Sequence, residues 1–204
     1  MKSLLRLAQD FAAITMDLDK SVESTLIASR SLDSRHMSAT KQIATINLYS
    51  QWEEFTRKVL AASASKKTYT ANGVQLGRAA GIRTYADFEV ACKAAYRKSP
   101  NARWSPNWGM SRTVNTLTVS LNLQNGQTLR AAFSSSTSPA DDIRLCRNFF
   151  GHINPGTAKQ VKRLLQFQGS PSLEAWICQR DGNGDTRFTS WASNLRDIAF
   201  AAIQ

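Results

Sequence analysis

Apolar residues recur at three- and four-residue intervals along most of this chain. Leu4, Leu7, Phe11, Ile14, Leu18, Val22 and Leu26, with Leu5 and Ile27 beside them, predict one long helix over 4–30. A polar, turn-like stretch comes next at 31–38, where Ser38 or Thr40 offers a cap. Ile43, Ile46, Leu48, Trp52, Phe55, Val59 and Leu60 then predict a second long helix over 40–62. Two long helices joined by a short link suggest an antiparallel pair. Residues 63–82 read as a basic loop, with Lys66–Lys67 and the breakers Asn72–Gly73 and Gly77. A third helix is expected over 84–98, then a proline-broken aromatic loop at 99–112.

The stretch 113–133 supports two readings. Leu117, Val119, Leu121 and Leu123 alternate with polar residues ahead of Asn125–Gly126, as in a hairpin. Val114, Leu117 and Leu121 also fit a helix closed at Asn125–Gly126. Pro139 opens another helix reaching about residue 151, with Asp141 and Asp142 near its positive end. Residues 156–167 and the C-terminal part are helical, apart from a turn at Asp181–Asp185. The fold class expected is therefore all-α, with a small β-hairpin near 114–133 as the open addition.

Composition narrows the function classes. The 204 residues are 42% hydrophobic and 20% charged, enough for a sizeable core in one domain or one domain with an appendage. No apolar run approaches the roughly 20 residues that cross a bilayer. Met1–Arg6 begins like a signal peptide, but Arg6 and Asp10 break its apolar centre, so a cytoplasmic location is expected. Cys92, Cys146 and Cys178 are odd in number and far apart, which argues against a disulfide framework and a structural zinc. No metal or other cofactor is called for. Asp181–Asp185 imitates the start of a calcium loop, but Thr186 stands where glycine belongs and Ala192 where glutamate belongs, so it reads as a turn.

Charge changes the picture more. The net charge is +11, and residues 57–112 hold eleven of the basic side chains against only Asp87 and Glu89. A cationic block of this kind suits a polyanion, because neutralising phosphates releases condensed counterions. The alternative is a solvated charged face without a ligand. Within the block, Trp104 and Trp108 interleave with Arg103 and Arg112, the mixture that stacks bases and faces phosphates in single-stranded RNA. Lys93 and Arg97 join these as RNA-binding candidates, as does Arg144 further on. Tryptophans plugging the loop onto the core would look the same.

The chain has two histidines. Arg147 precedes His152 by five residues, with Asn148 between them, in an apolar helix: Ile143-Arg144-Leu145-Cys146-Arg147-Asn148-Phe149-Phe150-Gly151-His152. Arg30 also precedes His36, by six, but in a serine-rich turn. The chemistry of metal-free RNA cleavage asks for such side chains. A group titrating near neutrality removes the 2′-hydroxyl proton, and a guanidinium offsets charge on the phosphoryl oxygens. Asn148 and His152, with Arg144 in the same row, share a face if the helix persists, whereas Arg147 lies well round from His152.

An Arg, a polar residue and a His within four to six positions resemble the motif of HEPN-domain ribonucleases. Tyr49-Ser50-Gln51-Trp52-Glu53-Glu54-Phe55 is similar to the Trp-Glu-x-Phe helix of some prokaryotic HEPN groups. The resemblance covers roughly 1–170 as a HEPN-like helical domain, leaving 171–204 as a C-terminal helical extension packed on it. It implies a metal-independent endoribonuclease with His152 as base, Arg147 as phosphate stabiliser and Asn148 as orienting group. Tyr49, Glu53 and Glu54 become accessory candidates, although a glutamate pair beside Trp and Phe also fits the exposed edge of an amphipathic helix. The resemblance further implies a homodimer, a toxin or phage-defence role, and a restraining antitoxin or regulatory partner. The other outcome is a silent RNA-binding or protein-interaction module of the same fold.

Overall fold

A computed structural model describes residues 3–28, 34–65, 68–135, 138–166 and 172–204, and among these the chain forms nine helices and one hairpin. In chain order they are α1 (Leu4–Ile27), α2 (Ser34–Ser65), β1 (Thr68–Tyr69), β2 (Gln75–Leu76), α3 (Tyr85–Ala95), α4 (Ser111–Ser120), α5 (Gly126–Phe133), α6 (Ala140–Gly151), α7 (Pro155–Gln166), α8 (Leu173–Ile177) and α9 (Arg187–Ala201). The fold is all-α, as the periodicity predicts, with one small β-hairpin among the described residues, in the stretch 63–82 that reads as a loop. Arg30 and Lys66–Lys67 lie outside the described residues. Among those described, no helix is long and apolar enough to cross a membrane.

The chain divides into two compact units. The first comprises Met1–Phe11, Trp52–Thr137 and Arg196–Gln204. Trp52, 1% exposed, is its centre. The indole lies 5.7 Å from the Phe11 ring, 5.7 Å from Phe55 and 5.0 Å from Phe133, and its N–H donates to the Gly109 carbonyl at 3.1 Å. The hairpin sits at 68–76, pairing Thr68 with Leu76 around Gly73 at φ 77°, a left-handed turn that suits glycine. Thr84 and Asp87 form a reciprocal capping box at the start of α3.

The stretch 113–133 resolves as two helices, and the hairpin lies elsewhere. Asn122, not Asn125–Gly126, stops α4. It takes φ 48°, its N–H donates to Val119 O (3.1 Å), and the Leu123 N–H reaches back to Thr118 O (3.1 Å). These bonds satisfy carbonyls that the helix end would otherwise leave orphaned. The same device ends α3, where Arg97 takes φ 54° and the Lys98 N–H donates to Lys93 O at 2.8 Å.

The second unit comprises Ala12–Gln51 and Ser138–Leu195. Ile143, Ile177, Phe188 and Leu195 are buried in it, and Trp176 meets Trp191 edge-on at 5.6 Å. Here α2 begins at Ser34, six residues before its expected start. The cause is tertiary. Ser38 and Gln42 both donate to the Glu174 carboxylate on α8, at 3.0 and 2.8 Å, holding a polar stretch helical that would otherwise favour a turn. Burial pushes the Glu174 pKa up, but the bonds from Gln42 and Ser38 outweigh it, and the net shift is downward.

Candidate active site

Helix α6 places the Arg147 motif. Ala140, Ile143 and Cys146 form its buried side, so the intervening Arg144, Arg147 and Asn148 turn towards solvent and are half-buried. The Arg147 guanidinium donates to the Asn148 side-chain oxygen at 3.1 Å. The helix does not persist to His152. Its N–H still donates to Asn148 O (2.9 Å), but its backbone leaves the helical region at φ −148°, ψ 77°. The shared face expected for Asn148 and His152 is therefore lost, and His152 is exposed at the end of α6.

The turn between α6 and α7 holds His152 in place through its backbone. The His152 carbonyl accepts from Thr157 Oγ1 at 2.8 Å and Asn154 Nδ2 at 3.1 Å. Asn154 also accepts from the Thr157 N–H at 3.0 Å, capping α7, whose first residue is Pro155. The main chain at His152 is thus fixed between two helix ends while the residue stays open to water.

The other candidates divide. Arg144 pairs with Asp141 at 3.3 Å. Tyr49 is 2% exposed, so its accessory role is corrected to a core position: a ring this deep does not reach a substrate. Glu54 is held by Arg57 and Lys58, and burial, which raises its pKa, is outweighed by these cations. Glu53 is half-buried on the same helix. Both glutamates belong to the first unit, whereas Arg147 and His152 belong to the second.

Within the first unit, the RNA-binding candidates Arg97, Arg103 and Arg112 are exposed. Lys93 Nζ donates to Pro100 O at 2.6 Å, tying down the loop after α3. Trp104 is half-buried. Its ring stands 4.9 Å from Tyr96, with Lys98 Nζ 5.9 Å from its centroid. Sequence spacing does not reveal Tyr96 and Lys98 as its partners, because the left-handed turn at Arg97 brings them to Trp104. Trp108 is corrected from the stacking group to the core: it is 8% exposed, stacks on Phe88 at 6.0 Å and donates to Ser105 Oγ at 2.9 Å.

Arg97 carries a conformation that costs a side chain on the order of 1 kcal/mol. Arg97→Gly is expected to raise unfolding stability by about that amount. Urea unfolding reads the effect, and a fall in stability would contradict the assignment.

The thiols are built for inertness. Burial pushes Cys92 up to about 12 and also raises Cys146 and Cys178. Ellman's reagent at about pH 7.5 is expected to find no fast-reacting thiol in the native chain and three after denaturation. One fast native thiol would overturn this.

The turn at Asp181–Asp185 forms as expected, with Asp181 Oδ1 accepting from the Asn183 and Asp185 N–H groups at 2.8 and 3.2 Å. Compared with known proteins, the chain matches no family model, no curated sequence and no solved structure.

Proposed function

We propose that the chain is a metal-independent endoribonuclease of HEPN type, acting as a toxin or defence effector. The observation that carries this reading is the exposed end of α6, where the Arg147 guanidinium meets the Asn148 side chain and His152, held by its main-chain bond to Asn148, follows with its side chain open to water. His152 takes the 2′-hydroxyl proton, the 2′-oxygen bonds to phosphorus, and the bond to the 5′-oxygen breaks as that oxygen gains a proton from solvent. Arg147 faces the phosphoryl oxygens as charge builds there, and Asn148 fixes the guanidinium through its side-chain oxygen. Two copies in a homodimer would bring two such helix ends to one substrate, and an antitoxin or regulatory partner would cover them. Trp104 with Tyr96, and the exposed Arg97, Arg103 and Arg112, would hold single-stranded RNA.

The end chemistry tests this. Products of single-stranded RNA in EDTA should carry 2′,3′-cyclic phosphates, and a 2′-deoxy nucleotide at the cleaved position should block cutting there. Cleavage at the deoxy position would refute 2′-hydroxyl attack. A second reading, an RNA-binding or interaction module without cleavage, is favoured by one observation: Arg147 is turned to Asn148, not to His152.

A further inference from the structure

Helices α4 and α5 form a pair of which the ribonuclease reading uses only Arg112, in the first turn of α4. They are joined by residues 121–125 and cross closely at Thr118 and Gly126. A Cβ on Gly126 would stand 3.3 Å from Thr118 Cβ and 3.2 Å from the Arg130 guanidinium, nearer than side chains ordinarily come. Leu117, Leu123, Leu129 and Phe133 are buried beneath the pair, and α3 lies against α4. The left-handed turn at Asn122 fixes how α5 leaves α4. Three short helices, the last two linked by a tight turn, are the arrangement in which the final helix enters a nucleic-acid groove.

The outward ridge of α5 has the chemistry for that role. Gln127, Ala131 and Ser134 are exposed at helical spacing, with Thr128 and Arg130 half-buried beside them. A glutamine amide pairs with the adenine edge, hydroxyls pair with any base, and an alanine methyl suits the thymine methyl. Charge agrees. Between Glu89 and Asp141 the chain has no acidic residue and six cations. Two exposed cations flank the pair: Arg112 sits in the first turn of α4, and Arg78 follows Gly77, whose N–H donates to Gln124 Oε1 at 2.8 Å in the linking turn. Asp197 of α9 opposes them, across an open 630 Å³ groove that Gln127, Thr128 and Ala131 also line.

The geometry points to α4–α5 as a helix–turn–helix that places α5 in the major groove of double-stranded DNA. B-form DNA is the ligand because its major groove admits a helix, whereas the major groove of A-form RNA is too deep and narrow. This site uses none of the α6 residues and shares only Arg112 with the cations proposed to hold RNA.

The test uses the full chain and labelled duplexes of random sequence and about 24 base pairs, as DNA and as RNA, read by anisotropy at two salt concentrations. Ala131 is exposed, so a charged side chain of either sign there reaches water without entering the core. Ala131→Glu is expected to weaken DNA binding about tenfold and Ala131→Lys to strengthen it, since each charge acts on the phosphates beside the groove. Asp197→Asn should tighten binding, and Arg78→Ala should reduce the salt slope by about 1. RNA cleavage should be unchanged in Ala131→Glu, and DNA binding unchanged in His152→Ala, so either assignment fails alone. Equal affinity for the two duplexes, or changes of the same sign with Glu and Lys at 131, would overturn the proposal.

Discussion

His152→Ala is expected to lower the rate of RNA cleavage about 100- to 10,000-fold, the range that a general base contributes. Its affinity for the same RNA should change little, because the imidazole is one exposed group at the end of α6 and the fixed cations remain. The loss should appear in turnover and not in substrate concentration at half-rate. Arg147→Lys should also lose rate, since an ammonium lacks the rigid fork that grips phosphoryl oxygens and cannot reproduce the bond to Asn148 in the same geometry. A His152→Ala enzyme that cleaves at the wild-type rate would remove α6 from the chemistry.

Trp52→Ala is expected to cost about 3–5 kcal/mol, the largest single stability effect in the chain. The ring is 1% exposed and touches Phe11, Phe55 and Phe133, so truncation leaves a cavity edged by three rigid rings. It also strands the Gly109 carbonyl. Against a total of about 5–15 kcal/mol for a typical domain, that loss leaves little. Trp52→Phe keeps an aromatic ring but loses the bond, at about 1–3 kcal/mol. Urea unfolding separates the two variants, and a Trp52→Ala loss below about 1 kcal/mol would show that the aromatic cluster is not the centre of the first unit.

Legibility in the sequence tracks the range of the forces involved. Helices α1, α2 and α6 were legible because burying one face fixes a local period, and Trp52 and Phe55 share that face. The start of α2 was not, because Ser38 and Gln42 become helical through Glu174, far along the chain. The division of 113–133 was hidden in Asn122, a residue equally at home in a hairpin, a loop and a left-handed helix end. Trp104 and Trp108 look alike in sequence. Only the fold sends Trp108 beneath the loop onto Phe88 and leaves Trp104 beside Tyr96 and Lys98. At the candidate site, the motif's spacing was visible, but the exit of His152 from the helix depends on Asn154 and Thr157 capping the next one.

The most direct test is a time course of single-stranded RNA with purified wild-type protein in EDTA, beside His152→Ala and His36→Ala. His36 lies in the first turn of α2, away from the Arg147 motif in sequence, and serves as the control histidine. The account predicts cleavage at matching rates by the wild type and His36→Ala, and cleavage at least about 100-fold slower by His152→Ala. Equal cleavage by all three proteins, or intact RNA with all three, would contradict it.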